Sequence, residues 1–114
     1  MLSRIFGNSP QVKIVETFVE NYEDEISAPD ITRMTDLNKS IIYRHIKKLL
    51  SEGIIHKTKK VGKTQLYKLN KENAKAEMIL LLEKYMVSER LNKILNKKTF
   101  YRVYDAREIG EIET

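Results

Sequence analysis

The sequence has no cysteine, and that absence excludes disulfide scaffolds, thiolate metal sites and thiol redox sensing. It has two histidines, His45 and His56, too few for a metal cluster, so no metal is expected. Only four glycines are present, and no phosphate-cradling loop, paired carboxylates or nucleophile–base pair stands out. Enzymatic activity and a cofactor are therefore not expected. The opening MLSRIFGNSP lacks the long apolar run of a signal peptide, and no stretch approaches the length of a membrane span. A cytoplasmic protein is expected, and 114 residues make one modest domain with room for a pairing element.

What the chain does have is segregated charge. The net charge is +5. Residues 1–38 contribute −4, residues 39–71 contribute +9 and residues 72–114 contribute zero. The central block holds ten lysines and arginines against one acid, Glu52. A solvated basic face is the plain explanation. The alternative is a nucleic-acid footprint, because each cation set against a phosphate releases condensed counterions.

The spacing of apolar residues predicts a mainly α fold with a small β-hairpin. Leu2, Ile5 and Phe6 form an apolar arm. Ser9-Pro10 starts a helix over residues 10–23, the serine capping and the proline losing nothing at the first helical position. Ser27, Pro29 and Asp30 start a brief second helix, 28–34, with Ile31 and Met34 facing inward. Asn38 caps a third, ending near Glu52 with Gly53 as its stop and Ile42, Ile46, Leu49 and Leu50 as its stripe. GIIHKTKK and KTQLYKL read as two strands turning at Val61-Gly62, with Tyr67 and Leu69 inward. Asn70 then caps a long helix over 71–96.

Apolar residues on that last helix include Ala74, Met78, Ile79, Leu81, Leu82, Tyr85, Met86, Leu91, Ile94 and Leu95. A helix lying on one core needs only about a third of its circumference apolar. The surplus predicts one side on the chain's own domain and the other on a second copy, with Met78, Leu82, Tyr85, Met86, Leu91, Ile94 and Leu95 as candidate dimer contacts. The domain division expected is 1–70 for a DNA-binding unit and 71–114 for the pairing helix and tail. The tail, TFYRVYDAREIGEIET, reads as a short strand or docked segment.

The segment DITRMTDLNKSIIYRHIKKLLSEGIIHKTKKVGKTQLYKL resembles the winged helix-turn-helix of prokaryotic, especially archaeal-type, transcription regulators of the broad MarR/ArsR superfamily. The matching features are Ile31, the turn Thr35-Asp36-Leu37, the cap Asn38, the string LLSEGII and the closing YKL. They cover about residues 10–70. One departure is Asp36, where the family usually has a glycine able to take a left-handed backbone; aspartate tolerates that conformation better than most residues.

The resemblance implies a winged helix with a long C-terminal dimerisation helix, and a homodimeric, sequence-specific regulator, a repressor, bound to double-stranded DNA. With Ile42, Ile46 and Leu49 inward, helical periodicity turns Lys39, Ser40, Tyr43, Arg44 and Lys47 outward, and Asn38 and Ser40 suit either a base or a phosphate. Arg44 suits a two-pronged contact to a guanine edge, and Lys39 and Lys47 suit phosphates. The wing adds Lys57, Lys59, Lys60, Lys63 and Thr64 for flanking backbone or the minor groove. The paired helices imply an inverted-repeat operator. The lysine-heavy wing keeps open an architectural chromatin or plasmid-maintenance protein with little sequence specificity. Nothing identifies a small-molecule effector.

Overall fold

The computed structural model describes residues 1–95. Its elements, in order, are α1 (Ser3–Phe6), α2 (Pro10–Glu20), β1 (Ile26–Ser27), α3 (Ala28–Thr35), α4 (Lys39–Ser51), β2 (Ile55–Val61), β3 (Thr64–Leu69) and α5 (Ala74–Ile94). The result is mostly helical with a small antiparallel sheet of order β1-β3-β2. The chain divides after Glu83, within α5. The tail reading from residue 97 onward, and the last residue of the long-helix reading, lie outside the described residues. No described helix is long and apolar enough to cross a membrane.

Local chemistry sets the helix boundaries. The Ser9 hydroxyl accepts from the Val12 amide at 3.3 Å, with Pro10 in the first turn of α2. Ser27 and Asp30 form a reciprocal capping box on α3: the Asp30 amide donates to Ser27 Oγ at 3.2 Å, and the Ser27 amide to Asp30 Oδ2 at 2.8 Å. Those bonds, led by the Ser27 amide, outweigh burial and hold the Asp30 carboxyl below its usual pKa. Asn38 caps α4 by accepting from the Ile41 amide at 3.0 Å.

In the first unit α2, α3 and α4 pack on one another, and α4 lies on β2. Ile14, Phe18, Ile31, Ile42, Ile46, Ile55 and Leu69 are all fully enclosed. Each contributes roughly 1.5–3 kcal/mol of apolar burial.

Several expectations need correction. Met34 is 53% exposed rather than inward, because α3 buries only Ala28 and Ile31. The arm is a one-turn helix, α1, and Ile5 and Phe6 are exposed while Leu2 is buried. The α5 cap is Asn73, which accepts from the Ala76 amide at 3.1 Å, whereas Asn70 serves the preceding turn through the Glu72 amide. Strand β1 was not anticipated; it pairs Ile26 with Tyr67 and Ser27 with Leu66.

The arm is anchored by charge as well as by Leu2. The Met1 α-ammonium donates to Glu16 Oε2 at 2.6 Å and to Glu20 Oε2 at 2.8 Å, and lies 3.4 Å from Glu83 Oε1. Burial works against this charge, but the Glu16 and Glu20 hydrogen bonds outweigh it and hold the amine's pKa at about 10. Glu83, on α5, is itself buried, and that burial raises its carboxyl pKa although the ammonium partly offsets it.

Candidate nucleic-acid interface

Helix α4 has two chemically distinct sides. Ile42, Ile46 and Leu49 recur at i, i+4 and i+7, so they share one face and are buried. Lys39, Ser40, Tyr43, Arg44 and Lys47 are exposed on the remainder. Asn38 is exposed too, but its carboxamide oxygen is occupied by the Ile41 amide and by the Ser40 hydroxyl at 2.9 Å. These two residues thus build the helix start as well as lining the surface. The first-turn amides not reached by the cap leave this end of α4 partially positive.

The turn ahead of α4 has the backbone that its sequence raised as a question. Asp36 adopts φ 62, left-handed, and its amide closes α3 onto the Thr32 carbonyl. It is the positive-φ residue other than glycine among the described residues. At the far end, Gly53 has φ 75, and a Cβ there would meet Asn73 Nδ2 at 2.8 Å. Asn73 donates to the Glu52 carbonyl at 3.2 Å and Asn70 to the Gly53 carbonyl at 3.1 Å. Lys75 pairs with Glu52. Two asparagines and an ion pair therefore tie the end of α4 to the segment that opens α5.

The wing is the β2–β3 hairpin, turning at Gly62-Lys63. Lys57, Lys59, Lys60, Lys63 and Thr64 are all exposed. Its ladder is not uniform: Ile55 pairs with Leu69 and Lys57 with Tyr67, but Lys60 pairs with Gln65 and Val61 with Thr64. One extra residue is thus accommodated between Lys57 and Lys60. Gln65 Nε2 donates to the Lys59 carbonyl at 3.2 Å and the Leu66 carbonyl at 2.9 Å. Thr58 Oγ1 donates to Glu25 Oε1 at 2.9 Å, tying β2 to the segment before β1. Tyr67 is buried, which raises its phenol pKa, and Tyr43 of α4 lies near enough to add to the rise.

Among the described residues, the ion pairs engage Met1, Arg33, Lys71 and Lys75 as cations. None of Lys39, Arg44, Lys47, Lys57, Lys59, Lys60 or Lys63 takes part in these pairs. His45, half-buried on α4, is shifted below its ordinary pKa by burial and by the charges of Arg44 and Lys48. No group of three metal-binding side chains forms among the described residues.

The candidate dimer contacts divide by exposure. Met78, Leu91, Ile94 and Leu95 are exposed, Leu82 and Tyr85 are half-buried, and Met86 is buried within the single chain. Leu81 and Val87 are exposed apolar residues of α5 that the candidate set omits. Gln65, Glu25 and Asn73 were also missed. Asn73 carries a legible signal, an asparagine immediately before a helical run. The partners of Gln65 and Glu25 depend on strand pairing and have no such local mark.

Comparison with known proteins bears on the fold that carries these residues. Residues 11–57 match the family model described as bacterial regulatory protein, arsR family. No curated protein matches the chain. The adhesin competence repressor of Streptococcus pyogenes superposes with a TM-score of 0.58 at 14% identity, covering 89% of this chain and 69% of that one. The homodimeric winged helix-turn-helix DNA-binding domain of a possible ArsR-family transcriptional regulator from Mycobacterium bovis superposes at 0.53 and 16% identity, covering 81% and 80%. The chain spans about half the length, 51%, of the ferric uptake regulator of Francisella tularensis, with 25% identity over 54% of this chain and a TM-score of 0.48. Residues 11–57 are therefore similar to the arsR family of bacterial regulatory proteins, and the chain that carries them has the winged-helix fold.

Proposed function

We propose that the chain is a homodimeric, sequence-specific transcription regulator that binds double-stranded DNA and acts as a repressor. The observation that carries this reading is the two-sidedness of α4, whose enclosed isoleucines fix the helix while Lys39, Arg44 and Lys47 stand exposed and outside the ion pairs of the described residues. In this reading α4 enters the major groove, with Arg44 on a guanine edge and Lys39 and Lys47 on phosphates. Asn38, Ser40 and Tyr43 line the same approach. Lys57, Lys59, Lys60, Lys63 and Thr64 hold the flanking backbone or minor groove, where their charge contributes mainly affinity.

Residues 1–70 act as the DNA-binding unit and 71–114 as the pairing unit. A second copy covers the exposed apolar side chains of α5, Met78, Leu91, Ile94 and Leu95 first among them. Support comes from the Mycobacterium bovis neighbour, which is homodimeric, and from the Streptococcus pyogenes neighbour, which is a repressor. Two α4 helices then lie about 34 Å apart, one turn of duplex, and the operator is an inverted repeat.

Selection of bound duplexes from a random pool tests the reading. Enrichment of an inverted repeat with half-sites about one turn apart is the expected result. Uniform retention of all sequences replaces it with an architectural role, and failure to retain any duplex at low salt removes DNA binding altogether.

A further inference from the structure

The wing contains a device that the duplex-binding reading does not by itself require. In an antiparallel pair, residues directly opposite one another point to the same side of the sheet. Ile55, Leu69 and Tyr67 therefore share a side, the enclosed one. Lys57 sits on that side opposite Tyr67, and Gln65 continues it two residues along β3. Had the ladder run on without a shift, Lys59 would stand opposite Gln65, and Lys60 would fall on the far side of the sheet opposite Thr64. The shift between Lys57 and Lys60 prevents this: Lys60 pairs with Gln65 and so shares the side of Tyr67. That is also the side of the enclosed Ile55 and Tyr67, and Tyr67 lies near Tyr43 of α4, which packs on β2.

A bulge of this kind takes a backbone carbonyl out of the ladder, and the carbonyl needs another donor. At the register shift Lys59 O accepts from Gln65 Nε2, which also donates to Leu66 O. Both partners are acceptors, so the amide's orientation is set by chemistry. Gln65 is half-buried, and one side chain thereby spans both strands at the point where the register changes. The Thr58–Glu25 hydrogen bond holds the same stretch of β2 from the other direction.

The geometry points to Gln65 as a positioning residue that locks the wing's bulge and so turns the Lys60 ammonium to the side of the sheet that faces α4, where one DNA backbone can meet both. Gln65 need not touch the nucleic acid; it acts through Lys60. The inference rests on the duplex-binding reading of the wing, and the experiment separates the two.

The measurement is the slope of log affinity against log salt for the full chain on a mixed-sequence duplex, where each phosphate contact contributes nearly one unit. Four proteins are compared: wild type, Lys60→Ala, Gln65→Met and the double variant. Lys60→Ala reduces the slope by about one. Gln65→Met leaves the net charge unchanged, yet is expected to reduce the slope by a similar amount. The double variant is expected to match Lys60→Ala, because the contact is lost once only. A Gln65→Met slope equal to wild type while Lys60→Ala falls, or losses that add in the double variant, overturns the positioning role alone. An unchanged slope in Lys60→Ala overturns the wing's DNA contact and this inference with it. A merely structural role for Gln65 lowers the melting temperature without moving the slope, which also counts against the proposal.

Discussion

Helices α4 and α5 solve different problems. Helix α4 keeps Ile42, Ile46 and Leu49 on one enclosed face and Lys39, Arg44 and Lys47 outside it, so a single chain encloses its anchoring side chains. Helix α5 distributes apolar residues around its circumference. Leu81 is 62% exposed and Ile94 66% exposed, while Ala76 and Leu80 are buried. A helix apolar on more sides than one core can cover needs a further surface. The contrast teaches that α4 encloses its anchoring side chains within one chain and leaves cations exposed, whereas α5 leaves apolar side chains exposed.

The largest expected effect breaks the first half of that contrast. Ile46→Ala removes a fully enclosed side chain from the anchoring face, and urea unfolding should show a loss of about 2–5 kcal/mol. A loss below about 1 kcal/mol would mean that α4 is not anchored as described. The second half is broken by Ile94→Glu. Sedimentation equilibrium should show self-association weakened by roughly 2–3 kcal/mol, since a charge is placed within the proposed apolar contact. The helix content of the separated chains should stay nearly constant. Equal self-association in wild type and variant would count against a second copy on this side of α5.

Arg44→Ala comes next. It should cost roughly 1–3 kcal/mol of DNA affinity, with relaxed preference confined to one base position in each half-site. The comparison sharpens further at Glu83, where α5 is held to the chain's start by charge. The Met1 amine is raised from 8.0 to about 10 in the folded state. A raised pKa means that the folded state binds the proton more tightly, so the stabilisation is complete below pH 8 and is lost as the pH rises through 10. Stability should fall over that window by on the order of 1 kcal/mol, and the step should vanish in a Glu16→Gln/Glu20→Gln variant. Asp36→Gly should produce the smallest change. Relief of a left-handed non-glycine backbone exceeds the entropy cost of glycine by roughly 0.5 kcal/mol, and a lower melting temperature would contradict this.

The sequence made most of α4 legible because its signals are local. Asn38 precedes the periodic run, Gly53 ends it, and a spacing of 3.6 residues separates anchoring side chains from outward ones. The caps at Ser9 and Ser27 were readable for the same reason, since a serine oxygen and an amide three residues on are neighbours whatever the tertiary fold. Met34 was misassigned because periodicity shows which residues share a face, not how much of a short helix the core covers. Strand β1 escaped notice because two residues have no period, and their partner Tyr67 lies far along the chain. The shifted register in the wing was unreadable on the same grounds: HKTKKVG is compatible with either pairing, and only the Gln65 amide and the opposing strand decide between them.

Methylation interference on an enriched duplex tests the role of α4 without intermediaries, because guanine N7 lies in the major groove. With wild-type protein, methylation of one guanine in each half-site should abolish binding, and Arg44→Ala should be indifferent to methylation at that same guanine. Interference that persists unchanged in Arg44→Ala, or none at any major-groove guanine, would contradict the placement of α4 against DNA.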